Sequence, residues 1–260
     1  EKASGRALDS WAQEWLQTSG VNTLAADFAV DDAGAYRSFS VAQTAAAEFP
    51  TLRRHRIGIG LYDVQEGRLV RRSSLELDID GPSTDVPELV GQRQPDLLLL
   101  NDGDLTYAKI RLDERSLATA VSSIDTVDDS LPRALLWGAA WDMTRDAEMG
   151  ATDFVELVLR GIGTETDTTA VSRLPAYVRT AINYYSNPAT RDALKARWET
   201  GVRALLEGAA SGSDHQLAFV RAYAASAKSP EALDLVAGLL DGSVTLPGLE
   251  VDTDLRWTLL

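Results

Sequence analysis

The sequence predicts a multidomain chain of mixed α and β class: a small β-sandwich followed by an α-helical solenoid or bundle, truncated at its far end. Three observations carry this. From about residue 35 to 112, apolar and polar residues alternate with the period of a half-buried strand. Turn signals interrupt that stretch roughly every 8–12 residues, the spacing of short strands in a sandwich. After Asp113 the apolar period lengthens to that of a helix and stays so. The expected divisions are a helix within 1–21, a sandwich over 22–113 and a helical domain over 114–260.

Taken in order, residues 1–20 suit one amphipathic helix with Leu8, Trp11, Trp15 and Leu16 on a single side and nothing upstream to pack against. Tyr36 to Val41 and Ser74 to Asp80 alternate as strands. Arg56–Asp63 and Arg68–Arg71 flank Val64-Gln65-Glu66-Gly67, a hairpin turn. Breaker residues make Asp80–Pro87 a loop. Leu97–Leu100 and Tyr107–Leu112 are further strands, joined through the tight turn Asn101-Asp102-Gly103.

Beyond Asp113, four apolar stripes stand out: Phe154, Leu157, Val158, Gly161 and Ile162; Leu174, Val178, Ala181, Ile182 and Tyr185; Leu194, Trp198, Val202 and Leu205; Leu233, Val236, Ala237 and Leu240. Asn187-Pro188, Ser229-Pro230 and Ser130 ahead of Pro132 each place a capping side chain before a proline that suits a first helical turn. Asp252 caps a last helix carrying Leu255, Trp257, Leu259 and Leu260. Roughly seven helices on short loops follow, packed antiparallel. Both ends carry apolar surface without an obvious partner, so the sequence reads as a fragment.

Composition narrows the class. The chain has 260 residues, 45% hydrophobic and 25% charged, with net charge −14. Repulsion therefore disfavours nucleic acid and anionic membrane as partners. No cysteine is present, which excludes disulfides and thiolate metal sites. The polar N-terminus does not suit a signal peptide, and the apolar run Leu97–Leu100 is far too short to span a bilayer, so a cytoplasmic location is expected.

Four islands occur in a fixed order. The first is Trp11 to Trp15, continuing to Gly20-Val21-Asn22. The second is the alternating Phe39, Val41 and Gln43. The third runs from Asn101 through Thr106-Tyr107-Ala108-Lys109-Ile110-Arg111-Leu112-Asp113, and the fourth is the helical tail opened by Leu131-Pro132-Arg133. That order resembles the C-terminal half of bacterial aminopeptidase N, a zinc metallopeptidase family, along essentially the whole chain. The family's Gly-Tyr-Pro-like exit is matched only at the glycine. Its domain junction, typically Asn-x-x-x-Gly-Tyr-Tyr-Arg-Val-x-Tyr-Asp, is matched without its glycine and second tyrosine.

The resemblance implies that residues 1–21 are the last helix of a catalytic domain that is missing. That domain would be the chain's partner within one polypeptide, with peptides as substrates and zinc as the parent's cofactor. The helical domain would enclose the active site and restrict access to it. Neither His-Glu-x-x-His nor Gly-x-Met-Glu-Asn occurs, so no catalytic, cofactor-binding or metal residue is assigned here. A parent peptidase is expected to be an enzyme and this stretch alone is not.

Other motifs take bland readings. His55 lies among Arg53, Arg54 and Arg56, which would repel a metal ion; His215 stands at a helix start capped by Ser213 or Asp214, with a solvated ring. Asp78 to Asp85 has a calcium-loop flavour, but its glycine is at the wrong offset and Leu89 stands where glutamate is needed. Arg53–Arg56 and Arg71-Arg72 suit a solvated strand or a salt-bridging surface. Trp137 and Trp141 suit packing between helices, with Asp142, Arg145 and Asp146 as a local charge cluster. Gly161-Ile162-Gly163-Thr164 suits a helix end and turn. Two rivals remain: a stand-alone sandwich and solenoid adaptor for a protein or peptide, and a carbohydrate-binding sandwich, disfavoured because residues 22–113 contain no tryptophan.

Overall fold

The computed structural model describes Gly5 and residues 8–260; the rest of the expected N-terminal helix lies outside the described residues. Helix α1 is Asp9–Leu16. Seven strands follow: β1 Asn22–Val30, β2 Tyr36–Ala45, β3 His55–Gln65, β4 Arg68–Ile79, β5 Ser83–Asp85, β6 Leu97–Leu100 and β7 Lys109–Arg111. Then come α2 Glu114–Ser123, α3 Ser130–Arg145, α4 Ala151–Gly161, α5 Thr168–Thr180, α6 Arg191–Gly208, α7 Asp214–Ala224, α8 Pro230–Asp241 and α9 Thr253–Leu259. A small β-sandwich followed by a helical region is therefore the observed class.

The strands form a four-stranded sheet in the order β5-β2-β1-β7 and a three-stranded sheet in the order β4-β3-β6. Their apolar sides share a core that includes Leu24, Phe39 and Val41 from one sheet and Ile57, Ile59 and Leu61 from the other, each nearly or wholly buried. Two elements differ from the sequence reading. β1 was not expected, yet Leu24, Ala26, Phe28 and Val30 alternate; small alanines dilute that signal. The loop Asp80–Pro87 contains β5, whose three residues pair with β2. The expected hairpin is present: Glu66 and Gly67 both adopt positive φ, as a two-residue turn between right-twisted strands requires.

Glycine is obligatory at one approach. Asp102 donates its backbone N–H to the Gly58 carbonyl at 3.0 Å. A Cβ on Gly58 would stand 2.0 Å from the Asp102 carbonyl oxygen, and one on Gly60 would stand 2.3 Å from its carboxylate. The room thus made holds a buried carboxylate, which accepts from the Tyr62 hydroxyl at 2.8 Å and from Arg71 at 3.0 Å. Burial, then the hydrogen bond to Asp102 and that carboxylate's charge, pushes the Tyr62 hydroxyl pKa upward.

By contacts the chain divides into two compact units. One comprises the described residues up to Ala120 with Thr126–Asp142; the other comprises Val121–Asp125 with Met143–Leu260. Trp137 is buried within the first unit, as expected of a packing residue, and Trp141 is half-buried.

In the second unit α4 packs on α5 and α6, α7 on α5 and α6, and α9 on α7 and α8. The stripe on α4 is wholly buried, as is Leu174, Val178, Ala181 and Ile182 of the next; Tyr185 is exposed. Gly201 lets α4 and α6 approach, since a Cβ there would meet Leu159 at 2.5 Å. Gly161 to Thr164 is a helix end running into a single 3₁₀ turn.

Caps at Ser229 and Asp252 accept from Ala232 and Leu255 N–H, as expected. Asn187-Pro188 does not open a helix. The Asn187 side chain instead accepts from Ala189 N–H in a turn, and α6 begins at Arg191. The last stripe is also corrected. Leu233 and Ala237 are exposed, while Ala232, Gly238 and Leu239 are buried. Apolar residues surround α8, so periodicity alone could not choose its inner face.

Candidate functional site

Two places gather titratable groups that the sequence singled out. The first lies in the sandwich. Alternation along 53–56 sends Arg53 and His55 inward and Arg54 and Arg56 outward. Arg53 is 3% exposed, which corrects the expectation of a solvated run. Its guanidinium donates to the carbonyls of Glu14, Thr18 and Ser19, to the Thr18 hydroxyl and to Asn22 Oδ1. It also lies 5.4 Å from the Trp15 ring centre. Trp15 therefore packs on the sandwich, edge-on to His55 at 5.2 Å, whereas Trp11 and Leu16 are exposed.

His55 is equally enclosed. Nδ1 lies 2.8 Å from Thr106 Oγ1, and Nε2 lies 3.2 Å from Asn22 Oδ1 and 3.1 Å from Gln43 Oε1. Gln43 also accepts from Arg53 N–H. Both ring nitrogens are committed, so the cluster joins strands of the two sheets rather than offering a ligand. Burial first, then the Arg53 charge, lowers the His55 pKa to about 4. The unfolded ring binds its proton near pH 6.5, so protons favour the unfolded chain between those values. The stabilisation from a neutral His55 is complete above about pH 6.5 and is lost as pH falls toward 4. His55→Gln should be less stable than the parent at pH 7. That gap should narrow by on the order of 3 kcal/mol by pH 4. Urea unfolding across this range checks it; parallel pH profiles would refute it.

Other charged side chains of the sandwich pair with one another. Arg72 and Arg93 both donate to Asp63 Oδ2 at 2.7 Å, and Asp63 is buried. Arg56 pairs with Asp78 and Glu76 on the surface. In the calcium-like stretch, Asp78 thus faces a guanidinium, and the Thr84 hydroxyl closes the turn onto Asp80.

The second place is in the helical unit. α5 and α7 border a groove of about 410 Å³ whose lining includes Val171, Pro175, Leu217, Arg221 and His215. A neighbouring groove of about 530 Å³, along α4, α6 and α7, includes Leu159, Gly201, Phe219 and again His215. Ser213 caps α7 by accepting from Gln216 N–H, placing His215 in its first turn. The ring is half-buried against Phe219, 5.6 Å away, and its Nε2 is buried without a hydrogen-bond partner. The solvated ring expected from sequence is thereby corrected; its partner, Phe219, is one helical turn on.

Ser172, in the lining of the first groove, donates its hydroxyl hydrogen to the Thr168 carbonyl. Among the described residues no group of three or more His, Asp or Glu is placed to hold a metal ion. The two histidines lie in different units, one fully hydrogen-bonded and one against an aromatic ring, so the residues present do not fit a zinc centre. Nothing in the sequence marked the groove. It is lined by helices of 13 and 11 residues, about three to four turns each, that lie some 40 positions apart in sequence and whose rim residues look like ordinary surface.

The described residues thus form a β-sandwich and, in a second compact unit, an array of short helices that border grooves. The family model of the ERAP1-like C-terminal domain matches residues 97–260, and the chain belongs to that family. It is also 50% identical over 264 residues to "Aminopeptidase N" of Streptomyces lividans. The match covers 99% of this chain and 31% of that protein, so the chain spans about a third of its relative's length. The resemblance read from the ordered islands is thus supported by both comparisons.

Proposed function

We propose that the chain is the non-catalytic C-terminal part of a zinc-dependent aminopeptidase that removes N-terminal residues from peptides. In this reading the zinc ligands and the catalytic groups belong to a domain of the same polypeptide outside this sequence. The helical unit encloses the active site and limits access to it, and its acidic character concentrates peptides with cationic amino ends. The location is cytoplasmic; no helix among the described residues is long and apolar enough to cross a membrane. The supporting observation is the 50% identity to an aminopeptidase N across 99% of the chain.

The purified chain should turn over no aminoacyl amide and carry no stoichiometric zinc. Full-length Streptomyces lividans aminopeptidase N lacking the stretch matched by 143–260 should gain kcat/KM on long peptides relative to aminoacyl amides. Amidase activity with tightly held zinc in the chain would overturn the first part. Equal losses on long and short substrates would overturn the second.

A further inference from the structure

A third cleft, about 310 Å³, sits where α5 passes into a π-helical turn, Ala181–Tyr185. Such turns bulge the backbone and recur at binding sites. This one presents Ile182 and Asn183 to the cleft. The end of α5 supplies Arg179, α6 supplies Lys195 and Trp198, and the segment after α7 supplies Ser226 and Lys228. In a chain with 39 acidic and 25 basic side chains, three cations and no carboxylate line this space.

The donors are in surplus. Trp198 is 2% exposed, and its indole N–H is buried without an acceptor. A buried N–H lacking an acceptor is costly and calls for one. Ser226 offers no hydrogen to the cleft, because its hydroxyl donates to the Ala222 carbonyl. Lys195 holds Asp192 at 3.1 Å, but that carboxylate is 95% exposed and is held loosely by the surface. Lys228 is anchored through its backbone, whose N–H donates to Glu199. The side chains of Arg179 and Lys228 make no hydrogen bond among the described residues. The Asp192 carboxyl is held below its ordinary range by Lys195 first, with Lys228 and Arg191 adding to the effect, and Lys228 also faces the Glu199 carboxylate.

We propose that this cleft is an oxyanion site that takes one small carboxylate or phosphate. Arg179, Lys195 and Lys228 supply the charge, and Trp198, a lining residue whose buried indole N–H lacks an acceptor, supplies a donor once a small shift of its ring opens that N–H to the cleft. Planar guanidinium and point-like ammonium groups together suit both anion shapes. The assignment rests on this cleft alone and stands apart from the peptidase reading.

Titration calorimetry of the full chain at low ionic strength, with sodium phosphate and sodium acetate in separate runs against a chloride background, tests it. One saturable site is expected. Arg179→Glu combined with Lys228→Glu, both at exposed positions, should weaken binding about tenfold or more. Trp198→Phe keeps an aromatic ring, removes the N–H and should weaken binding severalfold. Arg203→Glu, which removes a cation paired to Glu207 on the opposite stretch of α6, should leave it unchanged. Binding of phosphate alone assigns a tetrahedral anion, of acetate alone a carboxylate, and of both a general oxyanion site. Absence of saturable binding to either, or affinity unchanged by the double charge reversal, overturns the proposal. The double variant decides the matter even if Trp198→Phe fails to fold.

Discussion

Replacing Arg53 with methionine should destabilise the sandwich by about 3–5 kcal/mol, more than any surface charge change. The side chain length and much of its apolar contact survive. What is lost is the single donor group serving the carbonyls of Glu14, Thr18 and Ser19 and the Asn22 side chain. The Glu14 carbonyl keeps the Thr18 hydroxyl and Asn22 Oδ1 keeps its contact with His55 Nε2, while the Thr18 and Ser19 carbonyls lose the guanidinium. The first effect should be local, because α1 buries none of its own residues and is held by Arg53, by the Arg54–Glu14 pair and by the Trp15 ring against His55. Hydrogen exchange across Asp9–Leu16 should accelerate at denaturant concentrations that leave the strands protected. Arg53→Lys should recover little, since one ammonium cannot span the same fan of acceptors. Urea unfolding followed by circular dichroism measures the global loss. A change below about 1 kcal/mol would show that water readily replaces the guanidinium.

Gly58→Ala should cost about 3 kcal/mol, although it adds only one methyl group. The obstruction is backbone: the Asp102 carbonyl oxygen would lie 2.0 Å from the new carbon, and no rotamer change relieves it. Either β3 or the turn beginning at Asn101 must retreat. Retreat breaks the Asp102 N–H bond to the Gly58 carbonyl and pulls the Asp102 carboxylate from Tyr62 and Arg71. Gly67→Ala is the comparison. That position has positive φ but open space around it, so only conformational strain of about 1 kcal/mol is expected. Equal thermal shifts for the two variants would refute the steric account.

The two effects mark where sequence reading reaches and where it stops. The strands from Tyr36 onward other than β5, the Glu66-Gly67 hairpin, the buried face of α4 and the caps at Ser229 and Asp252 were legible. Each depends on neighbours within about one or two helical turns or one strand, where periodicity and capping act. β1 was hidden by its alanines, and α8 showed apolar residues on every side, so the local pattern did not select a face.

The sequence by itself determined the class, a sandwich followed by helices, and the lack of a zinc-peptidase motif within these residues. The ordered islands also pointed to the family that the comparisons support. Only the tertiary structure decided that Arg53 and His55 are buried while Arg54 and Arg56 are not, and that Asp63 and Asp102 are enclosed carboxylates. It alone showed that Gly58 is a point of backbone contact, and it alone brought Arg179, Asn183, Lys195, Trp198 and Lys228 around one cleft. The physical reason is the same in each case. Whether a charged or polar side chain can leave water depends on partners that compensate its desolvation, and those partners lie tens of residues away, where only the packed chain brings them together.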